Sequence, residues 1–113
     1  MSVYPQPKDK NSLVKRLSIP SGSTSIYTCP SGFTAVAEKI IIQSSSANTV
    51  SLSISGTLTI KIFEFSLSAG DTLVDTNAYK LNESESITIA NSSSVNLMIE
   101  VEETYRFSQK QKI

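Results

Sequence analysis

The sequence contains no histidine and no tryptophan, and it has one cysteine, Cys29, among 113 residues. These gaps exclude much chemistry. Without histidine there is no Ser-His-Asp triad and no imidazole to draw a thiolate from Cys29. Zinc sites draw on Cys and His, and one such residue cannot make one. A single cysteine also forms no internal disulfide, in keeping with a reducing compartment. No apolar run approaches the length of a membrane span, and the opening stretch MSVYPQPKDKNSLVKR lacks the apolar core of a signal peptide, so the expectation is a protein made in a cytoplasm. Charged residues are scarce at 18%, below the roughly 25% of an average soluble chain.

Hydroxyls fill the deficit: there are 21 serines and 10 threonines, while Ile, Val and Leu stay plentiful enough to build a core. The length suits one domain. Net charge is zero but unevenly placed. Residues 1–16 carry Lys8, Lys10, Lys15 and Arg16 against Asp9, a balance of +3, and residues 106–113 carry Arg106, Lys110 and Lys112, again +3. Between them three bases face nine acids, a balance of −6. Seven cations spread over two tails form no Arg-rich cluster, so nucleic acid is a poor candidate partner, and contact with an acidic protein neighbour is the better one.

Alternation of period two runs through most of the chain. In NTVSLSIS, Val50, Leu52 and Ile54 share one face, with Thr49, Ser51, Ser53 and Ser55 on the other. TLTIKIFEF aligns Leu58, Ile60 and Ile62, after which the apolar positions shift to Phe63 and Phe65, a phase change that predicts a bulge or bend. SITIAN and VNLMIEVEETY continue the pattern, the second with Val95, Leu97, Ile99 and Val101 on one side. TAVAEKIIIQS reads as a more buried strand, and NSLVKRL as the lead into a strand through Ile19. Turn chemistry recurs every 8 to 12 residues at Pro20-Ser21-Gly22, Pro30-Ser31-Gly32, Ser55-Gly56 and Ala69-Gly70-Asp71. The triplets in QSSSAN and NSSSVN read as two similar hairpin connections.

The expectation is an all-β, jelly-roll-like antiparallel sandwich of about eight strands. It occupies residues 13–105, with a basic N-terminal arm at 1–12 and a basic C-terminal tail at 106–113. Cys29, between a strand end and the Pro30-Ser31-Gly32 turn, reads as a packed thiol rather than a nucleophile. Ser12 and Lys15 match a serine–lysine spacing of some acyl transferases, but such matches are common in a serine-rich chain. Asp71, Asp75, Glu83 and Glu85 could form a carboxylate pair or calcium site, yet turns carry solvated acids by default. No Gly-rich phosphate loop is present. The chain reads as a non-enzyme with no cofactor and no metal.

IYTCPSGFTAVAEKIIIQSSSANTVSLSI, followed by LSAGDTLVDTNAYKLNESESITIANSSSVNLMIEVEE, resembles small β-sandwich virion proteins of tailed bacteriophages. The likeness covers about residues 25 to 103. It departs from that pattern at Asn82-Glu83-Ser84, where a second Gly-Asp turn is usual. The resemblance implies a structural subunit located in a virion assembled in the host cytoplasm: a head-decoration, collar-adaptor or tail-fibre-associated protein. Its partners would be other capsid, collar or tail proteins and further copies of itself in a symmetric assembly. A receptor- or glycan-binding module on a tail or fibre is the alternative, and the small supply of aromatics speaks against it. Outward strand faces carry neutral Ser and Thr rather than the charges that guard exposed sheets, which suits covered faces. The arms mix cations with apolar anchors, making Val3, Tyr4, Lys8, Lys10, Lys15, Arg16, Arg106 and Phe107 the candidate intersubunit contacts.

Overall fold

The computed structural model describes residues 10–105. They form nine strands: β1 Lys10–Ile19, β2 Gly22–Thr28, β3 Phe33–Gln43, β4 Asn48–Ser55, β5 Thr59–Leu67, β6 Thr72–Asp75, β7 Tyr79–Leu81, β8 Ser86–Asn91 and β9 Val95–Tyr105. All pairings are antiparallel. One sheet runs β1-β9-β3-β6 with β7 also on β3, and the other runs β2-β8-β4-β5. We call them the first and second sheets.

This order is that of a long folded hairpin rolled up on itself. Its rungs are β1·β9, β2·β8, β3 with β6 and β7, and β4·β5, and its tip is the turn before Thr59. Successive rungs fall in alternate sheets, which is the jelly roll. The alternating residues meet between the sheets: Ile40, Ile42, Val50, Leu52, Ile87, Ile89 and Ile99 are each at most 1% exposed. Full burial of such a side chain contributes about 1.5–3 kcal/mol.

The bulge expected after Ile62 is present. Leu52 pairs with Phe63 and Ser53 with Lys61, leaving Ile62 as the extra residue. A second bulge lies on β3, where Ala37 opposes Val101 and Lys39 opposes Glu100. It explains why nine strands stand where about eight were expected. The partner of β3 cannot follow through its bulge, so β7 pairs before it and β6 after it. Asp75 holds the break, accepting from the backbone N–H of Asn77 (3.0 Å) and the Tyr79 hydroxyl (2.6 Å).

Two further expectations are corrected. The serine triplets are not hairpins, because β3 and β4 lie in different sheets, as do β8 and β9. They are corners where the chain crosses the sandwich. The strand β1 also begins at Lys10, not Leu13: Lys10, Asn11 and Ser12 pair with Thr104, Glu103 and Glu102.

Candidate functional site

The connections gather at two ends of the sandwich, and the ends differ in chemistry. At the first end the two serine corners lie side by side, joined by Asn48. Its Nδ2 donates to Ser44 Oγ (3.0 Å) and the Ser93 carbonyl (2.8 Å). Its Oδ1 accepts from the backbone N–H groups of Ser92 and Ser93, both at 3.0 Å, and from Ser92 Oγ at 3.2 Å. Asn91 adds bonds from Nδ2 to the carbonyls of Pro20 (3.0 Å) and Ser93 (2.7 Å). Asn48, Ser44 and Asn91 are all buried. The parity of β4 and β8 turns both asparagines inward, where Asn48 finds partners for both ends of its amide and Asn91 for its Nδ2 alone, its buried Oδ1 having none among the described residues.

At the second end the β2–β3 loop meets the turn between β7 and β8. Tyr27 donates its hydroxyl to the buried Glu103 carboxylate at 2.5 Å, linking the two sheets. Burial, and then the carboxylate, push the Tyr27 hydroxyl well above the usual tyrosine range. Cys29 is 1% exposed, and its Sγ donates to the Phe33 carbonyl at 3.4 Å. Burial raises its thiol pKa, reinforced by the charges of Glu103 and Glu83. That is the opposite of an activated cysteine. Glu83 accepts from the Gly32 N–H (2.8 Å) and Glu85 from the Asn82 N–H (2.8 Å), so both acids brace turn backbones. Where the second Gly-Asp turn was missing, Ser84 adopts the left-handed φ of 71° that a glycine would take more easily. Among the described residues no group of three or more Cys, Asp or Glu is placed to hold a metal ion.

Of the candidate contact residues, Val3, Tyr4, Lys8, Arg106 and Phe107 lie outside the described residues. Lys10 is exposed at the start of β1, beside its partner Thr104. The chain therefore enters and leaves the sandwich at adjacent positions on the acidic end. Lys15 shares the inner face with Leu13 and Leu17, and its Nζ donates to the Ile26 carbonyl at 3.2 Å, tying edge strand β1 across to β2. Arg16 faces outward opposite Met98. It borders a shallow groove of about 380 Å³ with Ser18, Ile41, Gln43 and Asn96. A neighbouring groove of about 240 Å³ is lined by Gln43, Ser44, Ser45, Gly70 and Ser94. No aromatic ring lines either one.

Sequence reasoning missed Asn48, Asn91 and Glu103. A signal existed for each: all three occupy inward parity in a strand where an apolar residue belongs.

The outer faces of the sheets also differ. On the second sheet the rows read Thr28, Ser86, Ser55 and Thr59, then Ser25, Thr88, Ser53 and Lys61, then Ser23, Ala90, Ser51 and Glu64. The two charges in these rows neutralise each other, Lys61 Nζ to Glu64 Oε1 at 2.7 Å. The first sheet instead carries Val14, Arg16, Lys39, Ile41, Val74, Met98, Glu100 and Glu102 outward.

No family model matches the chain, and no curated protein matches it in sequence. Solved structures do share its fold. It is similar to a chain of the T13 viral particle of IBDV, with a TM-score of 0.58 at 8% identity over 95% of this chain and 34% of that one. It is similar to a chain of the infectious bursal disease virus Gx strain, with a TM-score of 0.51 at 10% identity over 95% and 37%. A Bacillus endospore appendage, from a family of disulfide-linked pili, gives a TM-score of 0.50 at 8% identity over 85% and 86%. The chain spans about a third of the length of the two viral chains. At such identities the likeness is one of fold: two of these structures are virus particles and the third forms pili.

Proposed function

We propose that the chain is a non-enzymatic structural subunit of a tailed-phage virion, binding neighbouring virion proteins and further copies through its sandwich faces and its terminal arms. The observation that carries this reading is the surface. A second-sheet face paved with serine and threonine and carrying a single self-neutralised ion pair, together with apolar side chains left exposed at Val14 and Val74 on the first sheet and at Ile60 and Phe65 on edge strand β5, suits a body covered by neighbours. The fold shared with viral particles and a pilus supports it. Disulfide linkage between subunits is not open to this chain through its one cysteine, because Cys29 is buried. The two grooves beside Gln43 carry no aromatic ring, which speaks against a glycan platform there.

The arms are the second part of the proposal. Both join the sandwich at the acidic end, near Glu83, Glu85 and Glu102 of their own body. The C-terminal arm, with Arg106, Lys110 and Lys112, can meet the same acidic surface of a neighbour, whereas residues 1–9 carry Lys8 against Asp9 and offer the anchors Val3 and Tyr4 rather than net charge. Deleting residues 2–9, which stops short of β1, should leave a folded sandwich that no longer joins the particle. The contact made by the cationic C-terminal arm should weaken with added salt. Truncated protein that enters particles as readily as the full chain would refute the role given to the N-terminal arm.

A further inference from the structure

The four sheet edges are not equally protected. Edge strand β1 turns Lys15 inward, β2 has its Ile26 carbonyl taken by that lysine, and β6 and β7 are short pieces. Each of these discourages a further strand from adding on. The remaining edge, β5, runs nine residues and leaves Ile60 62% and Phe65 45% exposed.

Its sequence is self-complementary. Reading outward from a point between Ile62 and Phe63, the residues on either side match in kind: Ile62 with Phe63, Lys61 with Glu64, Ile60 with Phe65, and Thr59 with Ser66. In a regular strand this symmetry would be useless, because residues an odd number apart point to opposite faces. The bulge at Ile62 removes the conflict. Lys61 opposes Ser53 and Glu64 opposes Ser51, both on the outer face, while Ile60 opposes Ile54 and Phe65 opposes Val50, both on the inner face. The one-residue phase change is what a strand needs to pair with its own copy about a centre lying between two residues.

We propose that β5 is a homodimerisation edge, pairing antiparallel with β5 of a second copy about a two-fold axis between Ile62 and Phe63. Ile60 then lies opposite Phe65 of the second copy, and Lys61 opposite its Glu64, each contact occurring twice as an isologous interface requires. The two second sheets fuse into one sheet of eight strands, with the hydroxyl-rich faces continuous across the join. This pairing depends on β5 alone, while the virion reading supplies only its setting.

The purified full chain tests it by sedimentation velocity. Wild type should form a dimer, and the exposed-site variant Ile60→Lys/Phe65→Lys should run as a monomer with an unchanged far-ultraviolet circular dichroism spectrum. Lys61→Glu and Glu64→Lys each set like charges opposite one another twice and should weaken self-association about ten-fold. Mixed together, these two variants should dimerise with each other, and the double variant Lys61→Glu/Glu64→Lys should regain self-association. A monomeric wild type, single-charge variants that dimerise like wild type, or a mixture that forms no heterodimer would each overturn the pairing. Since no other virion protein is present, failure here leaves the proposed structural role standing.

Discussion

The two ends of the sandwich close the same kind of gap with different groups. One end uses neutral amides and hydroxyls around Asn48 and Asn91; the other uses the phenol, thiol and carboxylates of Tyr27, Cys29, Glu83, Glu85 and Glu103. The neutral end joins corner to corner chiefly through Asn48, so its stability is concentrated on one side chain, with Ser92 and Ser93 adding single bonds to Thr49 and Ala47. The acidic end is spread over several groups, with the Tyr27 hydroxyl and the Cys29 thiol both raised by burial, and there the chain enters and leaves the fold. Substitutions at the first should act on stability alone. Changes of pH and salt should act through the second.

The largest effect should come from Asn48→Ala. It removes the acceptor of two backbone N–H groups and the donor to two corner residues, at a cost of about 4 kcal/mol in chemical denaturation. Asn48→Asp should cost nearly as much, because a carboxylate oxygen would face the Ser93 carbonyl. A loss under 1 kcal/mol in both would show that the corners hold without it.

Tyr27→Phe should rank next, at about 2–3 kcal/mol, since it leaves the buried Glu103 carboxylate without this donor. It also predicts a pH dependence. The folded state raises the Tyr27 pKa above the ordinary 10.0, so it holds the proton where the unfolded chain releases it. The stabilisation is whole below pH 10 and declines as pH rises beyond that value. Tyr79, raised by burial and Asp75, acts in the same direction. Denaturation midpoints between neutral pH and pH 11 should therefore fall less steeply in Tyr27→Phe than in wild type. Parallel curves would remove Tyr27 from the account.

Cys29→Ser should cost about 1–3 kcal/mol by placing a hydroxyl in a buried site, and should leave assembly intact. A folded variant that fails to assemble would give the thiol a role beyond packing. The smallest effect should be a gain. Ser84→Gly relieves a left-handed residue but loosens the unfolded chain, for a net of at most about 1 kcal/mol.

What could be read in advance follows from the range of the physics. Alternation is local, so β4 and β9 stand where NTVSLSIS and VNLMIEVEETY place them, and the Phe63/Phe65 phase change marks the bulge at Ile62. The bulge at Glu38 was hidden because Ile40, Ile41 and Ile42 form an unbroken apolar run whose two faces look alike. The serine corners were misread because turn composition marks where a chain reverses, not which strands it joins. The same limit concealed Lys15, placed among the cations of an arm although β1 turns it toward the interior. Asn48 and Glu103 depend on contacts with residues more than forty and seventy positions away, Ser92 and Tyr27.

The central claim is that this chain is built to be covered by neighbours in a regular assembly. Cryo-electron imaging of intact particles carrying the chain tests it most directly. The account predicts repeated copies at symmetry-related positions, with the acidic end against a neighbouring subunit and the hydroxyl face withdrawn from solvent. Copies found only as free monomers, or attached by a single flexible contact with both faces open to solvent, would contradict it.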